Sequence, residues 1–322
     1  MTMQRNILIF GGGGYIGSEC IKRLAQKLDQ FGEVVCADVR EIPAERRLRG
    51  ITYVVSDIRK DDLAALMRAH AINSVVNLAA IVAPGKDRDF EYQVDVVGAT
   101  RVLEACVEAG VSQLVYTSSG AAYGYYADSP EWLDENDPIR GNVEFSYSDH
   151  KRIVEHLLAE YREKHPELRQ LIFRPGTVLG EHTNNRITNL FHRPVLMGVT
   201  GTDTPFVFVW DQDVAEAVAK GILEDRSGIY NLVGDGVVTF RDIARLTGAK
   251  FKQIPPWLMK VLLFFLQKLG ITDYGPEQVM FIQYRPCMAN KRLKEEFGFT
   301  PTMNSMQAFE YYLKHARARD SK

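Results

Sequence analysis

The chain has 322 residues, 46% of them hydrophobic and 25% charged, which places it within ordinary globular limits and outside those of disordered or collagen-like sequences. Its 39 Lys and Arg against 41 Asp and Glu leave a net charge of −2, so no dense positive field is available for nucleic acid. The length fits about two domains of roughly 150 residues each. Cys20, Cys36, Cys106 and Cys287 are scattered with no C-x-x-C pair, the pattern of reduced, buried thiols in a cytoplasmic protein. The apolar run at residues 6–10 is too short for a signal peptide, and residues 257–266, interrupted by Lys260, are about half of what a bilayer requires. The histidines show no H-E-x-x-H or similar spacing, so no metal is expected.

In chain order, β-branched runs at 6–10, 33–38, 51–57, 74–79, 113–118 and 170–174 predict six strands, each followed by a helix-length or loop segment. Near-continuous apolar strands joined by crossovers of that length predict an α/β fold, a doubly wound parallel sheet covered on both faces. Beyond Arg174 the rhythm loosens; 207–223 predicts a strand-to-helix unit, 228–233 one more strand, and the chain after Gly234 short helical segments. The expected division is a cofactor domain over 1–175 and 205–233 and a smaller, mainly helical substrate domain over 176–204 and 234–322. Residues 255–269, rich in Trp, Leu, Phe and Met, read first as a core helix of that smaller domain. The alternatives are the floor of an apolar pocket or a contact with a membrane surface.

Gly11, Gly12, Gly13, Gly14 and Gly17 follow the first predicted strand and open a helical segment over 15–28. Glycine there permits a tight turn, close backbone approach to a pyrophosphate and close helix packing, while the helix N-terminus presents free N–H donors. Four consecutive glycines leave the register open between Gly11-Gly14-Gly17 and Gly12-Gly14-Gly17. Asp38 ends the second strand 21 residues past Gly17, where an acidic side chain accepts from the adenosine ribose, so a dinucleotide is expected. Its carboxylate would repel the 2′-phosphate of NADP and favours NAD. Arg40, Arg46, Arg47 and Arg49 are the counterweight, and otherwise read as a solvated loop.

Tyr147 and Lys151 lie four apart near the start of a helix expected to run to about Lys164, so both project from one face. The segment 116–124, Y-T-S-S-G-A-A-Y-G, leaves the fifth strand at its carboxyl end, where open α/β sheets bind ligands. With G-G-G-G-Y-I-G at 11–17, Asp57-Ile58 after strand three, N-L-A-A at 77–80, Y-x-x-x-K at 147–151, F-R-P-G at 173–176 and D-V-A at 213–215, the sequence resembles the extended short-chain dehydrogenase/reductase family, also described as NAD-dependent epimerases/dehydratases. The resemblance covers essentially the whole chain. It implies a Rossmann-type fold and hydride transfer at a secondary alcohol or ketone of a small-molecule substrate. It further implies cofactor contacts from Gly11, Gly14, Tyr15, Ile16, Gly17, Asp38, Asp57, Ile58, Leu78, Ala79, Ala80, Arg174 and Pro175. Tyr147 would be the general acid/base, Lys151 would tune it and hold the nicotinamide ribose, and Ser119 would bond the reacting oxygen, with Ser118 its rival. A tyrosine titrating near 10 needs about 4 kcal/mol to act as a phenolate at neutral pH. An exposed ion pair supplies less than that, so Tyr147 needs Lys151 and an oxidised nicotinamide together in a closed cleft.

Several positions depart from the family. Gly120 and Ala121 stand where its dehydratases carry an Asp-Glu pair, so dehydration is not expected. Thr177 and Phe206 stand where nucleotide-sugar members carry Asn and Arg for the diphosphate, which argues against an ordinary UDP-hexose unless Arg140, Arg186 or Arg193 substitutes. A UDP-sugar 4-epimerase with tightly held NAD is the alternative, and a non-catalytic NAD-sensing protein a third reading that the intact Ser119, Tyr147 and Lys151 oppose. Asp95 replaces a frequent Asn. His150 is expected in solvent and Trp210 in packing. The resemblance also implies a homodimer through helices near 89–109 and 147–165, where Leu103, Val107, Ile153 and Leu157 give apolar positions that equally suit the protomer's own sheet.

Overall fold

The computed structural model describes residues 4–82, 85, 87–272 and 275–320. The six apolar runs form β1 (Ile7–Phe10), β2 (Val34–Asp38), β3 (Thr52–Val55), β4 (Ser74–Asn77), β5 (Gln113–Thr117) and β6 (Arg169–Pro175), followed by β7 (Thr177–Leu179), β8 (Val195–Val199), β9 (Phe208–Trp210), β10 (Gly228–Leu232) and β11 (Lys250–Ile254). The helices up to β10 are α1 (Tyr15–Ala25), α2 (Leu63–Ala69), α3 (Arg88–Tyr92), α4 (Gly98–Glu108), α5 (Ser146–Lys164), α6 (Arg186–Phe191) and α7 (Asp211–Leu223). Beyond it come α8 (Phe240–Thr247), α9 (Pro256–Lys268), α10 (Val279–Gln283), α11 (Lys291–Glu295) and α12 (Ser305–Asp320).

Seven strands join in the order β10-β6-β5-β4-β1-β2-β3, every neighbouring pair parallel. Alternate residues of β1 serve opposite faces, as a pleated strand requires. Ile7 and Ile9 pack with Leu24 of α1 and Val218 of α7, whereas Leu8 and Phe10 pack with Val102 of α4 and Leu158 of α5. Burial on both faces explains why these strands read as unbroken apolar runs. Strand order reverses between β1 and β4, which puts a ligand crevice at their carboxyl ends.

The remaining strands form two parallel pairs, β7 with β9 and β8 with β11. Around them Phe191, Phe206, Phe208, Phe240, Phe309 and Tyr312 make a separate aromatic core. The mainly helical reading of the chain after Gly234 holds, though it does not specify the strand β11. Its Lys250 and Lys252 are exposed, and it becomes a strand by pairing with β8, which a local pattern does not reveal. The expectation of a core helix at 255–269 is corrected: α9 is a helix, but only Met259 of its residues is buried, because it covers the β8/β11 pair with one face and no described residue covers the other. Leu103 is buried in the protomer's own core, and Val107, Ile153 and Leu157 pack partly against it. All four cysteines are buried and free. No helix among the described residues is long and apolar enough to cross a membrane.

Candidate active site

β1 delivers the chain to Gly11, which turns with φ 74°. A Cβ there would come within 2.8 Å of the Ala79 backbone nitrogen, and one on Gly17 would collide with the Gly11 carbonyl. A Cβ on Gly14 would meet only that carbonyl, at 3.2 Å. Gly14 is the N-cap of α1, which has no side-chain cap and no acid in its first turn. Gly11 and Gly17 are thus closed to side chains by backbone, and Gly14 faces space at an uncapped helix N-terminus. Asp38 accepts from the Gly13 N–H at 3.0 Å and from the Arg40 N–H at 3.2 Å. Arg46, itself exposed, donates to the Gly13 carbonyl at 3.4 Å, while Arg47 pairs with Glu41 at 2.8 Å. A cavity of about 470 Å³ opens beside the loop, lined by Gly12, Gly14, Ser18, Ile42 and Arg46 among others. An uncapped N-terminus, a glycine open to close approach and a carboxylate at the end of β2 together fit a dinucleotide.

The other expected cofactor residues have more varied company. Tyr15 donates from its phenol to Asp211 at 2.6 Å and hydrogen-bonds Thr183 at 2.7 Å, so its side chain ties α1 to α7. Burial and Asp211 raise its pKa. The Asp57 carboxylate accepts from Arg59 at 2.9 and 2.7 Å, which holds it below the usual carboxylate range. Ile58 lies against Gly98 so closely that a Cβ there would collide with it. Leu78 donates its N–H to Phe10 at 3.0 Å, and the Ala79 N–H donates to Asn77 at 3.1 Å; both sit with Ala80 at the switch point. Ile16 packs in the first turn of α1, and Pro175 ends β6.

The Arg174 side chain is committed to partners inside the protein. Its guanidinium donates to Glu155 at 2.6 to 3.1 Å, to the Tyr123 phenol at 2.8 Å and to the Glu135 carbonyl at 3.2 Å. A guanidinium 3% exposed needs such a carboxylate, and Glu155 on α5 provides it. Ser118 also donates to Glu155, at 2.5 Å. That commits Ser118 to the interior and separates it from Ser119.

Ser119 caps the short turn Gly120–Tyr123, its hydroxyl accepting from the Ala121 N–H at 3.1 Å. Burial pushes the Tyr147 phenol up to about 12, and the nearby Ser119 hydroxyl draws it down. Lys151, one turn along α5, is 4% exposed and lies 5.8 Å from the Tyr147 ring centre. Its ammonium donates to the Thr117 carbonyl at 2.8 Å and the Tyr116 phenol at 3.2 Å. Burial lowers its pKa to about 8, with Asp95 and Glu155 opposing. The structure thus brings Ser119, Tyr147 and Lys151 together at the carboxyl end of β5.

His150 is not in solvent. It is 6% exposed, its Nδ1 2.9 Å from the Asp95 carboxylate and its ring edge-on to Tyr92. Asp95 lies in a π-turn over Gln93–Val97 and also accepts the Ile81 N–H at 2.8 Å. This clamp joins the loop after β4 to α5 and gives Asp95 a structural account. Trp210 packs on Tyr311, as expected.

On the substrate side Tyr125 packs on Phe281 at 4.9 Å, and Phe145 lies between Phe281 and Tyr147 at 5.0 and 5.9 Å. A Cβ on Gly120 would collide with Met288. Of the proposed substitute cations, Arg140 is held by Asp128 at 2.9 Å and stacked on Tyr126, while Arg186 and Arg193 are exposed. Sequence reading overlooked Arg285. Its guanidinium lies 4.0 Å over the Phe206 ring and makes no ion pair among the described residues. Glu155 was also overlooked, although its place one turn beyond Lys151 on the Tyr147 face was legible.

The model of the NAD dependent epimerase/dehydratase family matches residues 7–232. The mouse short-chain dehydrogenase/reductase family 42E member 1 is 35% identical, the match covering 98% of this chain and 89% of that protein. Two solved structures share the fold. The UDP-glucose 4-epimerase of Thermotoga maritima with UDP-glucose superposes at a TM-score of 0.75 with 17% identity, over 98% of this chain and 99% of that one. The Thermus thermophilus UDP-glucose 4-epimerase with NAD does so at 0.74 with 22% identity, over 97% and 99%.

Proposed function

This chain belongs to the NAD-dependent epimerase/dehydratase family, and from that premise we propose that it catalyses NAD-dependent hydride transfer at a secondary alcohol or ketone carbon, with Tyr147 as general acid/base. The observation that carries the reading is the meeting of Ser119, Tyr147 and Lys151 beside the switch point. The N-terminus of α1 and Gly11, Gly14 and Gly17 would hold the pyrophosphate, Asp38 the adenosine ribose, and Lys151 the second ribose, with the backbone at Ile16, Leu78, Ala79, Ala80 and Pro175 lining the groove. NAD, when bound, accepts or returns the hydride and in its oxidised form carries a positive charge.

Tyr147 takes the hydroxyl proton of an alcohol onto its phenolate oxygen, or returns a proton to the nascent alkoxide in the reverse direction, while Ser119 donates to that oxygen. Bringing a phenol from about 12 to neutral pH requires about 7 kcal/mol. A Lys151 ammonium 5.8 Å from the ring centre supplies on the order of 3 kcal/mol at an effective dielectric of 20, so lysine and cofactor charge are both needed. The aromatic wall of Tyr125, Phe145 and Phe281 suits an apolar ketone or alcohol. Gly120 and Ala121 offer no carboxylate where the dehydratases carry their Asp-Glu pair, which supports a reaction without loss of water.

A UDP-sugar 4-epimerase is the second reading, and Arg285 is the observation that favours it: a guanidinium with no ion pair among the described residues, resting on Phe206, the position where an arginine was expected and not found. Calorimetry with UDP, UDP-glucose and UDP-galactose, followed by an interconversion assay, separates the two. Micromolar binding with interconversion promotes the epimerase. For the leading reading, Tyr147→Phe is expected to lower kcat by about 10²–10⁴ with NAD affinity retained. Retention of more than about a tenth of the turnover removes Tyr147 from the mechanism. Asp38→Ala is expected to weaken NAD and raise relative use of NADP, Arg46 already standing at the loop.

The same reading assigns 1–175 and 205–233 to cofactor binding and 176–204 and 234–322 to the substrate. It places the protein in the cytoplasm, which the buried thiols support, as a homodimer through α4 and α5. A monomer by light scattering at micromolar concentration would defeat the dimer.

A further inference from the structure

Fifteen large apolar side chains are exposed among the described residues, and eight of them fall between Trp257 and Ile271, so this surface is a patch rather than scatter. In α9, Met259 and Leu263, one turn apart, face inward onto Val199, Ile254 and Val279. The opposite face carries Trp257, Val261, Phe264 and Phe265, and Leu269 and Ile271 continue it; Trp257 is 65% exposed, Phe265 58% and Leu269 71%. A helix apolar on all sides is ordinarily buried on all sides. This one is not.

Charge identifies what covers it. From Ile243 to Thr272 the chain contains Arg245, Lys250, Lys252, Lys260 and Lys268 and no acidic residue, in a protein whose net charge is −2. The four lysines make no ion pair among the described residues, and Lys250, Lys252, Lys260 and Lys268 are all exposed. Lys268 lies with its ammonium 5.0 Å over the Phe264 ring, its stem along the apolar face. A second copy of the chain presenting the same patch would set these four lysines against their counterparts, with Glu277, on the turn at Pro276–Gln278 beside α9, as an exposed carboxylate nearby. A surface that is apolar within and negative at its rim matches the patch on both counts, and that is the interface of a bilayer containing anionic lipid. At 13 residues, about 20 Å long, α9 is too short to span the bilayer and lies in the plane of the headgroups.

We infer that α9, with the lysines of β11, seats the protein on anionic membrane surfaces. The inference stands apart from the assignment of the reaction. α9 packs against α10, whose Phe281 packs on Tyr125 near Tyr147.

The test is flotation of the full-length protein with vesicles of phosphatidylcholine alone and of about three parts phosphatidylcholine to one part phosphatidylglycerol. Binding to the anionic vesicles and little to the neutral ones is expected. Trp257→Ser/Phe265→Ser/Leu269→Ser should abolish it, while circular dichroism and NAD binding stay as in the wild type. Lys250→Glu/Lys252→Glu should weaken it tenfold or more, each lysine near such a surface being worth roughly fivefold. Absence of binding to anionic vesicles overturns the inference, as does binding that the triple variant retains. It is equally overturned if the wild type ignores vesicles but sediments as a larger species than the triple variant, which would make the patch an interface between copies.

Discussion

α5 and α9 invert what their compositions suggest. α5 reads S-Y-S-D-H-K-R-I-V-E-H-L-L-A-E-Y-R-E-K, yet it buries Ser146, Ser148, His150, Lys151 and Glu155. α9 reads P-W-L-M-K-V-L-L-F-F-L-Q-K, yet it buries only Met259. The difference lies in what each helix meets. α5 is laid along the sheet at the carboxyl end of β5, where every polar group it buries has a partner: Glu91 for Ser146, the Ala121 carbonyl for Ser148, Asp95 for His150, and Arg174 with Ser118 for Glu155. α9 caps a two-stranded pair at the periphery and, among the described residues, has neighbours on one side only. Burial follows position in the architecture, and polar groups can be taken inside wherever the fold returns their hydrogen bonds.

The largest expected effect tests that statement at its most committed pair. Glu155→Ala leaves the Arg174 guanidinium, 3% exposed, without its carboxylate, and Ser118 without its acceptor. A loss of about 3–5 kcal/mol in unfolding free energy is expected by chemical denaturation. The double change Glu155→Leu/Arg174→Met should recover much of it, since removing both charges removes the uncompensated one. A Glu155→Ala protein within about 1 kcal/mol of wild type would mean that the network does not hold the serine segment to α5.

A smaller effect is expected from the functional end of the same helix. Below about 8 Lys151 is an ammonium, and it favours the ionised form of Tyr147. Replacing it with Met removes that cation, so the phenol pKa rises. Alcohol oxidation, which needs the phenolate, should then have its acid limb displaced to higher pH by about two units, the equivalent of about 3 kcal/mol. The check is kcat/KM against pH for both proteins with saturating NAD. A merely structural lysine would lower activity at every pH without moving the limb.

These cases also mark what a sequence discloses. β1 to β6 were legible because strands covered on both faces are unbroken apolar runs, and the glycine loop and the Tyr147–Lys151 spacing because local geometry alone sets them. The choice between Ser118 and Ser119 was not legible. Adjacent residues leaving a strand point opposite ways, and which way is inward depends on where α5 sets Glu155. His150 was misplaced in solvent for a related reason, since its partner Asp95 lies 55 residues away on a π-turn that no local pattern announces. β11 and the exposed face of α9 depend on β8, a neighbour brought by the fold from some fifty residues earlier.

The smallest expected effect belongs to α9, and its smallness is the point. If Trp257, Phe265 and Leu269 were core residues, replacing any one with Ser would leave a cavity and a buried hydroxyl and remove several kcal/mol. Exposed as they are, each single change should alter the unfolding free energy by no more than about 0.5 kcal/mol, whereas Met259→Ser, on the inward face, should lower it by about 2 kcal/mol or more. Denaturant midpoints for the four proteins, measured without lipid, give the contrast directly. Equal losses at Met259 and Phe265 would show that α9 is covered on both sides in the free protein. The comparison with α5 would then fail, because both helices would be buried and composition would have predicted α9 correctly.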